Sequence, residues 1–327
     1  MSESTLSLTF DQLETEVAKV TSYDTAVAAQ AADILTIINE GLRNFYFPPP
    51  IQINGMDYYH QWTFLRPVTT LTTTTTYSTG TVAVASGVVT LTTGTWPSWA
   101  ASGELTVSGS TYAVSTRDSS SQITLVDTSV TVAAGATYAI NQITYSAADN
   151  FGGLDGPMTF NTGSGKREIL VVGEGAIREM KAGYVGSSTA PPRYVAVRPI
   201  STPLTGQRHQ FLFFPNPDAV YIITYRYTVL MDKIATTQYP LGGMAHASTI
   251  LASCRHVASM RISDQEQRMR RAFEWDQRLR ASIMLDREGM VADHVGYNGS
   301  GEMWGDDWYR ERGIVHNSLE AVAPPGY

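Results

Sequence analysis

Cysteine and lysine are scarce in this 327-residue chain: Cys254 is the only cysteine, and Lys19, Lys166, Lys181 and Lys233 are the only lysines among 23 basic residues. One thiol excludes an internal disulfide framework and a thiolate-rich metal site, and the apolar neighbours of Cys254 favour a small buried hydrophobe. No apolar run approaches the roughly 18 residues of a membrane span, so no membrane partner is expected. The opening residues, MSESTLSLTF, carry neither a basic nor a hydrophobic block, so synthesis in a cytosol without a secretion signal is expected. The formal charge of -7 argues against a general nucleic-acid binder, because phosphate contacts need clustered cations.

Catalytic signatures are also missing. GSGKR at Gly163–Arg167 resembles a phosphate loop, but the positions that should hold the leading glycine and the trailing hydroxyl hold Phe160 and Arg167, so a hairpin turn is expected. His60, His209, His246, His256, His294 and His316 form no HExxH, and no GxSxG surrounds a nucleophile. No catalytic residue, metal or cofactor is expected. Glu168, Glu174 and Glu179 are the only nominees for paired carboxylates, by proximity alone.

What the chain does have is helix at both ends of a β-rich middle. Thr9 to Val20 predicts a helix with Thr9 and Gln12 as a capping box, and Thr25 to Tyr46 a second one capped by Asp24. Pro48, Pro49 and Pro50 end it behind Phe45, Tyr46 and Phe47, which are expected to pack within the subunit. Tyr58 to Arg66 reads as a strand through Trp62 and Phe64. From Met244 to Glu288 there is neither proline nor glycine, and Ile250, Cys254, Val257, Met269, Phe273, Leu279, Ile283 and Met284 recur at helical steps. One uninterrupted helix of about 60 Å is the expectation. Its arginines are assigned to charged faces, pairing in part with acids one turn away, as Arg270 with Glu274 or Glu266 with Arg270.

Between the helices, residues 68–145 are rich in threonine, serine and glycine, with the run Thr72 to Thr76 and short strand-like pieces at Thr81–Ala85, Val88–Thr92, Glu104–Val107, Thr111–Thr116, Gln122–Val126 and Thr137–Thr144. A small antiparallel barrel or sandwich, inserted as a domain, is expected. Further strands are expected at Met158–Phe160, Glu168–Val172, Tyr194–Arg198, Gln210–Phe214 and Ala219–Tyr227. The predicted fold is therefore α+β: a helical bundle from residues 1–67 and 230–288, an inserted β domain at 68–145, a second β region at 146–229, and an extended arm at 289–327. That arm holds Tyr297, Trp304, Trp308 and Tyr309, aromatics suited to anchoring on a partner.

The phrases NEGLRNFYFPPP and PNPDAVYIITYRYTVL, with the threonine-rich insertion and the terminal arginine-rich helix, resemble the head-to-tail adaptor, or connector, proteins of tailed bacteriophages. The resemblance covers most of Leu8 to Glu288. It implies a structural virion protein made in the host cytoplasm, forming a homo-oligomeric ring, usually a dodecamer, in the neck below the portal protein. Such a ring meets the next tail component, and double-stranded DNA passes through its channel without specific binding. It places Trp304, Trp308, Tyr309 and Arg310 as portal anchors and Arg268, Arg271 and Arg278 between subunits. The insertion departs from the plain family pattern, which leaves an alternative: a tail or baseplate component whose β domains hold a fibre or a host glycan.

Overall fold

The computed structural model describes residues 3–53, 56–183, 189–202, 206–234 and 238–288. The chain begins with α1 (Phe10–Thr21) and α2 (Ala28–Tyr46), then a small hairpin of β1 (Ile51–Ile53) and β2 (Met56–Tyr58) and a 3-10 turn at Thr63–Leu65. There follow β3 (Val68–Thr72), β4 (Val82–Ala85), β5 (Val88–Leu91), β6 (Gly103–Val107), β7 (Ser110–Arg117), β8 (Gln122–Leu125), β9 (Val132–Ala136), β10 (Tyr138–Gln142), β11 (Thr144–Ser146), β12 (Phe151–Leu154), β13 (Thr159–Phe160) and β14 (Leu170–Val171). Helix α3 (Glu174–Ala182) precedes β15 (Tyr194–Thr202), β16 (Gly206–Phe214) and β17 (Ile222–Val229), and the chain returns to helix as α4 (Gly243–Ser259) and α5 (Gln265–Glu288). The fold is mixed α+β, with five α-helices and several antiparallel sheets among the described residues. It divides into two compact units, Met1–Arg66 with Leu230–Tyr327, and Pro67–Val229.

In the first unit α4 packs against α1, α2 and α5. The α2–α4 crossing is close because both helices offer small atoms there. A Cβ added at Gly41 would lie 2.7 Å from the Cys254 Cα and 2.8 Å from its Sγ, and the Ser253 hydroxyl donates to the Gly41 carbonyl at 2.7 Å. Cys254 is fully buried, as its place in the sequence suggested. Around this point Ile34, Ile37, Ile38, Phe45, Ile250 and Leu279 are removed from solvent, each contributing about 1.5–3 kcal/mol of transfer free energy. The Thr9–Gln12 capping box of α1 forms as expected. Helix α2 starts later than its sequence suggested: Val27 precedes the first turn without a side-chain cap, and Asp24 instead accepts from the Ala26 N–H in the turn before it.

The end of α2 shows why the proline run needs the segment that follows. Proline has no N–H, so Pro49 cannot bond the Phe45 carbonyl one turn back, and that acceptor would be left buried. The Trp62 indole supplies the missing donor at 2.7 Å. Trp62 and Phe64 are thus in and beside a 3-10 turn rather than in the predicted strand, and their rings pack with Phe45 and His246. Phe45 and Tyr46 are buried within the subunit, while Phe47 is half exposed.

The long C-terminal helix is two helices. Met260, Arg261 and Ile262 bond back three residues, and the Asp264 carboxylate then accepts from the Glu266 and Gln267 N–H groups at 3.0 and 3.1 Å, starting α5 anew. An aspartate cap competes well with a continuing helix because it satisfies donors that would otherwise be orphaned. The two helices pack together through a buried contact between the Thr249 and Ser282 hydroxyls at 2.6 Å.

In the second unit seven antiparallel strands, in the order β10-β6-β7-β8-β5-β4-β9, curl into a half-barrel around Val82, Val89, Trp96, Leu105, Ile123 and Ile140. The predicted Thr137–Thr144 strand is split: β10 pairs with β6, and after Ile143 the chain changes sheets so that β11 pairs with β16. Strand β9, missed in the sequence because VAAGA lacks strand formers, completes the edge. Val68–Thr72 does not belong to the half-barrel but pairs with β17. The threonine run then alternates along its length. Thr73 and Thr75 bond the carbonyls of Ala219 and Asp218, whereas Thr74 and Thr76 bond the side chains of Gln142 and Asn141 on β10. A two-residue side-chain period places successive hydroxyls on opposite sides, so one run joins two sheets. Helix α3, not foreseen, covers β15 and β16 through Ile177, Ala196, Leu212 and Phe214.

The Gly41 contact predicts that Gly41→Ala destabilises the first unit by about 1–3 kcal/mol through overpacking, despite alanine's better helix propensity. Urea unfolding of the purified chain measures this; an unchanged midpoint would show that the α2–α4 crossing can widen freely.

Candidate functional site

Two features of the first unit stand out chemically: a buried polar chain that holds the C-terminal end of α5, and large apolar side chains exposed on the outward side of the same helix.

The polar chain joins residues 226 positions apart. His60 Nε2 lies 3.0 Å from Asp286 Oδ2, and its Nδ1 lies 3.1 Å from the Tyr58 hydroxyl. Because a carboxylate only accepts, Nε2–H donates to Asp286, and Nδ1 shares the second bond with the Tyr58 hydroxyl. Thr63 completes the carboxylate's shell with its N–H at 3.1 Å and its hydroxyl at 2.5 Å. The two ionisable side chains are 0% and 5% exposed. Burial alone would raise the Asp286 pKa, but the bonds from His60 and Thr63 outweigh it and hold the carboxyl below its usual range. Burial pushes the Tyr58 phenol up, which keeps it a donor. Beside them, burial pushes the His246 pKa down, and its Nδ1 is buried without a partner among the described residues. His256, on α4, is depressed for the same reason.

A Tyr–His–Asp chain resembles a proton relay, yet each Asp286 oxygen is already bonded and the imidazole does not reach solvent. The arrangement holds a helix end in place. Neither His60 nor Asp286 was singled out from the sequence for such a contact. The available signal was its phase: Asp286 falls three, four and seven residues after Ile283, Ser282 and Leu279, all buried.

The opposite error concerns Met269, Phe273 and Met284, expected in the buried stripe but 62%, 68% and 63% exposed. Trp275, Leu279, Ser282 and Ile283 are among the buried residues of α5, so Met269, Phe273 and Met284 stand on its exposed side, among Glu266, Arg280 and Arg287. The three arginines assigned to inter-subunit contacts have partners within the chain. Arg268 Nε donates to the Ile262 carbonyl at 2.6 Å and closes the turn before α5, and Arg271 bonds Glu274 at 2.9 Å. Arg278 forms a longer ion pair with the same Glu274 at 3.9 Å. The expected pairing of Glu274 with Arg270 is thus replaced by Arg271 and Arg278. Arg255 leaves the charged face to pair with Glu16 on α1.

Trp304, Trp308, Tyr309 and Arg310, together with Tyr297, lie outside the described residues. GSGKR occupies the turn leading from β13 towards β14, with Gly163 and Gly165 at positive φ, as expected for a turn and unlike a phosphate cradle opening a helix. Of the nominated glutamates, Glu174 pairs with Arg178 at 2.7 Å. Among the described residues no group of three or more His, Cys, Asp or Glu side chains could hold a metal ion, and no described helix is long and apolar enough to cross a membrane.

Asp286→Ala is expected to destabilise the first unit by about 3 kcal/mol or more, because it strands a buried imidazole. Equal urea midpoints would contradict the assignment. The pH dependence has a defined sign. His246 and His256 have depressed folded pKa values, so their contribution is complete above the ordinary histidine value of about 6.5 and is lost as pH falls below it. The Asp286 contribution is lost only later, as pH falls through the carboxylate range. Urea midpoints should therefore fall between about pH 6.5 and 5, and the double variant His246→Gln, His256→Gln should flatten that slope; an identical slope in the variant would contradict the origin assigned to it.

No protein-family model matches the chain, and no curated protein is significantly similar to it.

Proposed function

We propose that the chain is a structural neck protein of a tailed bacteriophage, an adaptor whose copies form a ring below the portal, join the head to the tail and continue the DNA channel. The observation that carries the proposal is the set of large apolar side chains that α5 leaves exposed. A helix that already buries Trp275, Leu279 and Ile283 still presents Met269, Phe273 and Met284 to solvent. Large apolar side chains left in solvent beside a buried stripe are available to a neighbouring macromolecule. The architecture supports the same reading, since helices from both chain ends pack around α4 and a threonine-rich half-barrel lies in the unit between them. In the adaptor reading the helices of neighbouring subunits make the ring's bundle, and a head-to-tail contact repeated around an axis closes it.

The arm from residue 289 onward is the proposed portal clamp, with Trp304, Trp308, Tyr309 and Arg310 as anchors. Residue 289 follows α5 directly in the sequence, and the His60–Asp286 contact fixes that end of the helix. The net acidic balance suits a channel wall over which DNA slides.

The experiment is reconstitution with purified portal-bearing heads. The full chain should co-sediment with heads, whereas a chain truncated after Glu288 should fold with unchanged helix content but fail to bind. Replacing Trp304 and Trp308 by alanine should weaken docking by about 3 kcal/mol or more, roughly 100-fold. A truncated chain that binds heads as well as the full one would contradict the assignment of the arm, and a full chain that ignores heads would contradict the adaptor function.

A further inference from the structure

We propose that the second unit carries an oxyanion-binding site, suited to a phosphate group, where Lys181 of α3 stands over Arg198, Gln210 and Ser146 of the sheet beneath it. The site goes beyond the adaptor reading and does not depend on it.

Strand register builds the site. Arg198 on β15 lies opposite Gln210 on β16, and Gln210 lies opposite Ser146 on β11, so the three side chains form one row on one face of the sheet. It is the face that α3 covers, because Ala196, Leu212 and Phe214 alternate in phase with that row and pack against Ile177. Lys181 follows Ile177 by one helical turn, which puts it on the sheet-facing side of α3, and it is mostly buried there. One row further along, Ile200 lies opposite Arg208, which brings a third cation to the same face.

The row is rich in donors. Arg198 Nη2 donates to Gln210 Oε1 at 3.0 Å, which engages the amide's acceptor and leaves its NH2. Among the described residues no hydrogen bond reaches that NH2, the Ser146 hydroxyl or the Lys181 ammonium. The neighbouring acids do not balance the cations. Glu104 on β6 attracts Lys181 but forms no ion pair among the described residues, and Asp149, 90% exposed, pairs with Arg208 at 3.4 Å. On α3 itself Glu174 is bonded to Arg178, and Glu179 is exposed on the side of the helix opposite Lys181. Burial pushes the Lys181 pKa down; Glu104 opposes that shift and Arg198 adds to it. An ammonium taken out of water beside a second cation is costly unless an anion offsets it. Donors reach the site from two layers, the helix above and the sheet row below, which suits the tetrahedral oxygens of a phosphate better than a planar carboxylate.

The test is calorimetric titration of the full chain with inorganic phosphate in low-salt buffer, where saturable binding is expected. Lys181→Gln and Arg198→Gln should each weaken it about tenfold. Glu104→Gln removes the opposing carboxylate and should tighten it, a change that a misfolded variant would not show. Lys166→Gln removes the same charge elsewhere in the unit and should leave the affinity unchanged. A parallel titration with a short DNA duplex distinguishes the source of the phosphate. A duplex whose binding depends on Lys181 and Arg198 in the same way assigns the site to a nucleic-acid backbone, and a duplex that does not bind, where phosphate does, assigns it to the free ion. Absence of saturable binding with both ligands overturns the proposal. So does binding that Lys166→Gln weakens as much as Lys181→Gln, which would be a general charge effect only, or binding that Glu104→Gln fails to tighten.

Discussion

The near-contact of Gly41 with Cys254 is the constraint on which the first unit depends. Any side chain at position 41 would meet the backbone of α4, so α2 and α4 cross with little between them. Their closeness places Ile34, Ile38, Phe45 and Ile250 in one buried cluster and leaves α4 enclosed by α1, α2 and α5. The proline run after α2 then has to be accommodated. It removes a donor from the last turn, and the Trp62 indole replaces it. The segment carrying Trp62 also carries His60, and so the repair of one helix end brings the partner that holds the other, at Asp286.

Much of this was readable in the sequence, and the failures have physical causes. The capping box at Thr9, the proline stop and the burial of Cys254 follow from local rules that tertiary packing did not override. Most strands of the half-barrel were visible from β-branched alternation between turns. The single long helix was wrong although its disruption was written in the chain: Asp264 followed by Gln267 is a helix-start pattern, and it was outweighed by the absence of proline and glycine. The buried stripe of α5 was misread because large apolar side chains also occur on its exposed side, and periodicity alone cannot say which set is buried. The His60–Asp286 contact spans most of the chain, and no local pattern announces a partner at that separation.

The second unit shows a related limit. The run Thr72 to Thr76 stood out by composition alone, which suggested only a β insertion. Its hydroxyls alternate between the 218–221 segment and β10, so the run acts as a seam between two sheets. Neither partner was apparent until the strands were in register, because side-chain hydrogen bonds of this kind depend on which strands become neighbours.

A structural role unites these observations. The polar network is spent on positioning a helix end, Arg268, Arg271, Arg278 and Arg280 are engaged with acids and carbonyls of their own chain, and Met269, Phe273 and Met284 remain exposed. Electron cryomicroscopy of DNA-filled, portal-bearing heads incubated with the full chain is the most direct test of that role. The account predicts a closed ring of this chain beneath the portal vertex, with helices of neighbouring copies side by side. Bare portals, with the chain found on tails, fibres or cell envelopes, would contradict it.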